Sequence, residues 1–221
     1  MPGIAQGVTV TGHVTAYGGP AGAGGASSVV WLTPVVPPGG GAIPAQPTHA
    51  VLRQKNKSFE PHLLAVTKGS TVDFPNLDPW FHNVFSLFNG KKFDLGLYEA
   101  GTSRTVHFDR EGVSYIFCNI HPEMSAVVVV VSSPYYAVVS KNGDFSIVDT
   151  PPGKYTLHVW SENALPETLE GLSRQVEVSG TTQSVGTLRV HESETANAQH
   201  KNKYGRDYEP PSPGNPVYTQ P

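Results

Sequence analysis

Glycines and prolines interrupt this sequence so often that long helices have little room to form. The chain of 221 residues holds 23 Gly and 20 Pro, and the apolar segments between them are short and rich in Val. Val and other β-branched residues favour strands, whereas Gly and Pro favour turns. The sequence therefore predicts an all-β protein, and its length suits two small domains.

The charge balance argues against two classes of partner. Charged residues make up 15% of the chain and the formal net charge is -3, so we expect neither nucleic acid nor an anionic membrane surface to bind. No window reaches the roughly 18 apolar residues of a membrane-spanning helix. Residues 1–10 also lack the basic start and apolar run of a signal peptide. We expect no transmembrane segment, and we interpret the chain as a mature one from which an export signal has been removed.

Short apolar segments separated by turn residues fill the middle of the chain. The candidate strands here are 50–54, 63–66, 71–74, 82–85, 103–107, 113–117 and 126–131. Turn pairs such as Asn89-Gly90 separate them, and the succession predicts a β-sandwich over residues 48–133. The segment 126–131 is apolar throughout, which is typical of a central strand buried on both faces.

A second group of candidate strands lies on both sides of this region. Segments 7–17 and 28–32 precede a stretch, 34–47, that holds five prolines and cannot pair in a sheet. The later segments are 135–140, 144–148, 154–160, 174–179 and 185–190. The dipeptide Asn142-Gly143 predicts a tight hairpin between the first two of them. Because the later segments alone lack edge partners, we predict a discontinuous β-sandwich of residues 1–47 and 134–190 into which the domain of residues 48–133 is inserted.

The C-terminal residues 191–221 are polar, carry five prolines and show no hydrophobic period. This composition favours an extended or disordered tail. The aromatic residues Tyr204, Tyr208 and Tyr218 leave open an alternative, in which the tail is an arm anchored on its own domain or on a partner.

One stretch of seven residues, Cys118-Asn119-Ile120-His121-Pro122-Glu123-Met124, holds the only Cys and the only Met beyond Met1. A type 1 copper ion needs one thiolate and two imidazoles in a plane with a weak axial thioether, since these soft ligands hold Cu(I) and still accept Cu(II). The spacing lets one loop place three ligands around one ion. The second imidazole must come from elsewhere, and His82, at the start of an apolar strand, is the best candidate.

Neighbouring residues are expected to support and surround these ligands. The side chain of Asn83 could tie its strand to the ligand loop, and Asn119 and Pro122 lie beside the ligands in that loop. Trp80 and Phe81 would help to exclude water. With Pro122 they would form an apolar rim at which redox partners dock briefly.

Other interpretations of the same residues remain open. A single Cys is often a buried structural thiol, and Zn²⁺ could occupy a Cys-His-His set. A copper-delivery protein would favour open sites rich in Met and His, whereas this chain has two Met. A cell-surface interaction module with a structural copper ion is a further alternative. The absence of H-x-H pairs argues against the additional copper centres of oxidases and nitrite reductases, so we expect no enzymatic activity.

The segment from about residue 50 to 132 resembles the cupredoxins, the family of plastocyanin, azurin and amicyanin. The residues that carry the resemblance are Phe59-Glu60-Pro61, the turn 66–70, Asn76-Leu77-Asp78, His82-Asn83-Val84 and the stretch 115–124. The position of Pro122 directly after His121 is most similar to amicyanin.

This resemblance implies a cupredoxin Greek-key β-sandwich with one copper ion that cycles between Cu(I) and Cu(II). The ligands it implies are Nδ1 of His82 and of His121, the thiolate of Cys118 and the sulfur of Met124. It further implies single-electron transfer between transient redox partner proteins, in the periplasm or another extracytoplasmic compartment.

The flanking segments resemble a second kind of module. Tyr135-Tyr136-Ala137, Gly143-Asp144-Phe145 and the stretch 152–160 are similar to a carboxypeptidase regulatory-like (transthyretin-like) β-sandwich, with 7–32 supplying its first strands. This resemblance implies a fold and an interaction surface, and no chemistry.

Overall fold

The computed structural model describes residues 7–18, 27–35, 45–87, 90–193 and 200–208. Apart from one short helix, α1 (Pro166–Leu172), the elements of this part are strands, which confirms the predicted all-β class. None of its helices is long and apolar enough to cross a membrane. The strands in chain order are β1 (Val8–Tyr17), β2 (Ser28–Pro34), β3 (His49–Val51), β4 (Arg53–Lys55), β5 (Ser58–Glu60), β6 (Leu63–Thr67), β7 (Ser70–Pro75), β8 (His82–Ser86), β9 (Phe93–Tyr98), β10 (Ser103–Phe108), β11 (Gly112–Phe117), β12 (Ser125–Val131), β13 (Tyr136–Val138), β14 (Asp144–Thr150), β15 (Gly153–Ser161), β16 (Arg174–Val178) and β17 (Thr182–His191).

The chain divides into two compact units. The first unit takes its described residues from Met1–Ala45 and Ser133–Ala198, and the second unit takes them from Gln46–Ser132 and Gln199–Pro221. The polypeptide therefore leaves the first unit, builds most of the second, and returns to the first before residues 200–208 rejoin the second.

The second unit is a sandwich whose two larger sheets share one core. A five-stranded sheet has the order β6-β12-β11-β8-β9, and a three-stranded sheet has the order β10-β7-β3. Buried side chains such as Phe74 and Phe108 from the smaller sheet and Ile116 and Val128 from the larger one belong to the same hydrophobic cluster. Strand β12 lies between β6 and β11, and its last six residues are buried, which confirms the prediction of a central strand.

The first unit contains two further sheets, with the orders β14-β1-β17 and β13-β2-β15-β16. Strand β1 is antiparallel to β14 and parallel to β17, and β2 is antiparallel to both β13 and β15. The two N-terminal strands thus complete sheets whose other members lie beyond residue 135. Buried Val, Leu and Tyr side chains from both sheets form the core of this unit.

Three elements were not predicted from the sequence: β5, β9 and α1. Strand β5 is three residues long and buries Phe59 alone. Strand β9 includes Asp94 and Gly96 and buries only Tyr98, so it has little of the alternation that marks a strand. Helix α1 is seven residues long and buries no side chain completely, so its sequence lacks the apolar stripe from which a helix is predicted.

The turn at Asn142-Gly143 forms, but the predicted hairpin is wrong. Gly143 has a φ of 88°, and its N–H donates to the Ser140 carbonyl at 2.9 Å. Asn142 is not among the residues with positive φ, whereas the hairpin turn that Asn-Gly favours needs positive φ at both central residues. The strands on either side, β13 and β14, consequently belong to different sheets.

Both the backbone angle of Gly143 and the lack of room for a side chain require glycine at this position, and this leads to a stability prediction. A Cβ atom at Gly143 would lie 2.5 Å from the Val14 carbonyl oxygen, whereas one at Gly180, with a φ of 74°, would meet nothing within 4 Å. We expect Gly180→Ala to lower the free energy of unfolding by roughly 1–2 kcal/mol, because only its backbone angle is unfavourable for alanine. Gly143→Ala should lower it by roughly 2–4 kcal/mol, because the close contact adds to the same backbone effect. Urea unfolding followed by circular dichroism measures both, and equal losses would contradict the role of the close approach.

Candidate metal centre

The ends of two strands in the second unit bring the predicted ligands to one edge of the five-stranded sheet. His82 is the first residue of β8, and Cys118 follows the last residue of β11. Strands β8 and β11 are antiparallel and paired through Phe85 and Phe117, so the start of one lies beside the end of the other. Residues 118–124, which we call the ligand loop, then lead into β12 at Ser125.

Three of the predicted ligand side chains converge. Nδ1 of His82 lies 3.1 Å from Nδ1 of His121, and the Cys118 sulfur lies 3.8 Å from the first and 3.6 Å from the second. His82 and Cys118 are completely buried and His121 is 6% exposed. Within the part of the chain that the structure describes, these three residues form the one group of three or more His, Cys, Asp or Glu side chains close enough to hold a metal ion.

Asp78 fixes the orientation and the tautomer of His82. His82 Nε2 donates to Asp78 Oδ2 at 2.8 Å, and because a carboxylate can only accept, the ring proton lies on Nε2. Nδ1 of the neutral ring is left with a lone pair that faces His121 and Cys118. This is the arrangement in which a carboxylate orients a metal-binding histidine through its other nitrogen.

Two local turns hold Asp78 in place. Its carboxylate accepts the backbone N–H groups of Asn56 at 2.6 Å and Lys57 at 2.9 Å, in the β4–β5 turn where both residues have a φ of 54°. Its own N–H donates to Asn76 Oδ1 at 3.0 Å. Burial would raise the pKa of Asp78, but these backbone hydrogen bonds together with that from His82 lower it from the ordinary value. Asp78 is therefore a charged, fully bonded support for the His82 ring.

Burial also sets the charge of the three converging groups. It lowers the pKa of His82, although Asp78 opposes the effect, and it lowers the pKa of His121 to about 4, with the neighbouring His82 contributing in the same direction. Burial raises the pKa of the Cys118 thiol. Both imidazoles are thus neutral at pH 7, and a metal ion would displace the proton of the thiol.

Backbone hydrogen bonds act on the sulfur and close the ligand loop. Backbone hydrogen bonds from Asn83, Ile120 and His121 partly offset the effect of burial on the pKa of the Cys118 thiol. The Cys118 N–H donates to the Met124 carbonyl at 3.3 Å, and the Met124 N–H donates to the His121 carbonyl at 3.1 Å. Met124 is fully buried in the core at the far end of this loop.

The spacing of the three donor atoms suits a transition metal. The centre of the circle through the two Nδ1 atoms and the sulfur lies about 2.0 Å from each of them, close to the roughly 2.0–2.3 Å at which Zn²⁺ binds imidazole nitrogen and thiolate sulfur. One thiolate with two imidazoles is a donor set that suits copper or zinc. The residues present therefore fit the predicted metal.

The residues predicted to support the ligands contact the site in different ways. Asn83 touches Cys118 through its backbone, while its side chain donates to Asp94 Oδ1 at 2.7 Å rather than to the ligand loop. Asn119 Oδ1 accepts the N–H of Lys203 at 3.0 Å. Pro122 is exposed, and its carbonyl accepts a hydrogen bond from His200 at 2.8 Å.

The other two residues of the predicted docking rim are partly accessible. Phe81 is 38% exposed, and Trp80 is half-buried with the Lys57 ammonium group 5.1 Å from its ring centre. The apolar side chains of Leu77 and Leu97, in the neighbouring segments, are 53% and 56% exposed.

Sequence reasoning missed two groups of residues at this site. Asp78 appears in the sequence analysis only within Asn76-Leu77-Asp78, one of the segments that carry the resemblance, although its position four residues before His82 is a usable signal. The sequence favoured an extended or disordered tail and left an arm anchored through its tyrosines as the alternative, but it did not predict that residues 200–208 contact the ligand loop. Tyr208 donates to the Cys118 carbonyl at 2.7 Å, and the His200 ring stacks on Phe117 with ring centres 3.9 Å apart. Residues 194–199 and 209–221 of the predicted tail, with Tyr218, lie outside the described residues.

No protein-family model matches this chain, and no curated protein matches it. Several solved structures are similar to part of it. A purple cupredoxin from Nitrosopumilus maritimus is 26% identical, with a TM-score of 0.34, over 37% of this chain and 98% of that one. A reduced amicyanin variant is 25% identical, with a TM-score of 0.35, over 37% of this chain and 81% of that one. A Cu-containing nitrite reductase from Thermus scotoductus SA-01 is 23% identical, with a TM-score of 0.37, over 46% of this chain and 26% of that one.

The support that Asp78 gives to His82 leads to a prediction. In Asp78→Asn, the amide NH₂ group would face N–H donors, and a buried donor would lose its acceptor. We expect the metal-free variant to lose roughly 1–3 kcal/mol of unfolding free energy and the affinity for Cu²⁺ to fall roughly 10–100-fold. Urea unfolding and metal titration measure the two effects. Asp109→Asn, at an exposed carboxylate paired with Lys91, is the control and should change neither value.

Proposed function

We propose that the second unit binds one copper ion through His82, Cys118 and His121, with Met124 as a weak axial ligand, and that the protein carries single electrons between redox partners. The observation that supports this most directly is the convergence of two imidazole nitrogens and one thiol sulfur, 3.1–3.8 Å apart, in a buried site. When bound there, copper supplies a one-electron couple, Cu(I)/Cu(II), that soft sulfur and nitrogen donors make accessible.

Other groups of the protein hold these donors in position. His82 is fixed by Asp78, and Cys118 and His121 belong to a loop closed by backbone hydrogen bonds. Side chains held in this way move little when the charge at the site changes. Fast electron transfer requires a site whose geometry changes little between its oxidised and reduced states.

The two histidines are suited to different roles. His82 is inaccessible to solvent and to partners, because its side chain is completely buried and its Nε2 is hydrogen-bonded to Asp78. His121 keeps 6% of its surface exposed, on a loop beyond the strand end. We assign His121 as the route by which electrons leave and enter, with exposed Phe81 and Pro122 and half-buried Trp80 as the surface on which a redox partner docks transiently.

The proposal also covers the rest of the chain and the compartment. We propose that the first unit is a carboxypeptidase regulatory-like β-sandwich that contributes an interaction surface and no chemistry. We also propose that residues 48–133 form the copper domain and that the protein works in the periplasm or another extracytoplasmic compartment.

The ligand assignment predicts which residues give the protein colour. With Cu²⁺, the parent protein should absorb intensely in the visible range, because the thiolate of Cys118 donates charge to copper. Cys118→Ser should be colourless, and His82→Gln should lose most of the band. His107→Gln, at an exposed histidine of β10, is the control and should keep the full band. Visible spectra with elemental analysis measure these outcomes, and a coloured Cys118→Ser protein or a zinc-only parent would refute the assignment.

The axial role of Met124 predicts a separate effect. Met124→Leu should keep the visible band, because the thiolate and both imidazoles remain. Its reduction potential should rise, since loss of a fourth donor weakens the site's hold on Cu(II) more than on Cu(I). A spectroelectrochemical titration measures the potential. Ile116→Leu, a volume-conserving change in the same core, is the control, and a Met124→Leu potential equal to that of this control would argue against axial binding.

A further inference from the structure

Residues 200–208, which we call the tail segment, lie against the ligand loop. Tyr208 Oη donates to the Cys118 carbonyl at 2.7 Å and lies 3.2 Å from Nδ1 of His200. The His200 ring stacks on Phe117, and its Nε2 donates to the Pro122 carbonyl at 2.8 Å. The tail segment therefore contacts the residue before the loop, the first residue of the loop and the residue after His121.

Lys203 gives the tail segment a second point of attachment. Its N–H donates to Asn119 Oδ1 at 3.0 Å, and its ammonium group donates to Asp94 Oδ2 at 2.8 Å. Asp94 Oδ1 accepts the side-chain amide of Asn83 at 2.7 Å, and Asn83 directly follows His82 in β8. The tail segment thus links the ligand loop to strands β8 and β9, which carry the other side of the site.

The tail segment also has a structure of its own. Oδ1 of Asn202 accepts the N–H groups of Tyr204 and Arg206 at 3.0 and 3.1 Å, and the Gly205 N–H donates to the Asn202 carbonyl at 2.9 Å. Gly205 has a φ of 74°, which glycine adopts without strain. A turn closed in this way presents Lys203 and Tyr208 to the ligand loop in a defined geometry.

The Cys118 backbone is held from two directions by these contacts. Its N–H donates to the Met124 carbonyl within the loop, and its carbonyl accepts from Tyr208, 90 residues further along the chain. The direction of the Cys118 side chain depends on the peptide groups on either side of it. We propose, on the basis of the function assigned above, that the tail segment is an outer wall of the copper centre and that Tyr208 is a positioning residue that fixes Cys118 through its carbonyl.

Three variants test whether Tyr208 positions Cys118 or whether the tail segment only covers the ligand loop. Tyr208→Phe keeps the ring and removes only the hydroxyl group, and hence the bond to Cys118. Tyr204→Phe makes the same chemical change in the same segment, at a side chain that is 71% exposed and whose ring lies against Lys203, and is the matched control. His200→Phe, which keeps a ring to stack on Phe117 but loses the bond to Pro122, tests the second contact.

The first measurement uses the metal-free protein and does not depend on copper. Cys118 is completely buried, so an alkylating reagent such as iodoacetamide can reach the thiol only when the loop opens. Loss of one hydrogen bond should raise the alkylation rate about fivefold in Tyr208→Phe and in His200→Phe. The Tyr204→Phe rate should equal that of the parent. Parent-like rates in both Tyr208→Phe and His200→Phe would overturn the proposal.

The second measurement uses the copper-loaded protein. Tyr208→Phe should release copper to a chelator about fivefold faster than the parent, and its reduction potential should shift, whereas Tyr204→Phe should match the parent in both. If the parent binds no copper but Tyr208→Phe still exposes the thiol, the electron-carrier function fails and the positioning of Cys118 stands. If the parent is a normal copper protein and all three variants match it in both measurements, the tail proposal fails and the function stands.

Discussion

The second unit depends on one energetically unfavourable arrangement. The donor atoms of a thiol and two neutral imidazoles face one another in a buried site. Two Nδ1 atoms lie 3.1 Å apart, and the His82 nitrogen bears a lone pair because Asp78 holds the ring proton on Nε2. Buried polar atoms normally face partners that satisfy them. Donor atoms that converge on a common centre are satisfied together by a cation, and this is why the geometry favours metal binding over a structural role for Cys118.

That arrangement is maintained by groups that are not themselves ligands. Asp78 accepts hydrogen bonds from the Asn56 and Lys57 backbone and from His82, so the β4–β5 turn and the metal centre share one carboxylate. A short hairpin that would be marginal alone is thereby coupled to the site. Fold and site stabilise each other here, since the turn orients the carboxylate and the carboxylate orients the ring.

The sequence could predict that His82, Cys118 and His121 converge because the chemistry of the proposed ligands is concentrated in a short motif. A single Cys, a His and a Met within seven residues define the loop, and His82 follows from the need for a second imidazole. The all-β class and the central strand β12 follow from Val-rich segments and turn residues. The sequence offered Tyr208 only as a possible anchor of the tail and gave Asp94 no role. Their partners could not be predicted, because these contacts join segments 11 and 90 residues apart that only the folded chain brings together.

The order of the chain adds a constraint on how the site is completed. His82 receives its support from Asp78, four residues away in the chain. The support that Cys118 receives from Tyr208 comes after the polypeptide has returned to the first unit and left it again. The inner side of the centre is thus built from residues close in the chain to His82, whereas its outer side depends on Tyr208, 90 residues beyond Cys118. A chain that ended before residue 200 would keep every proposed ligand and still lack one wall of the centre.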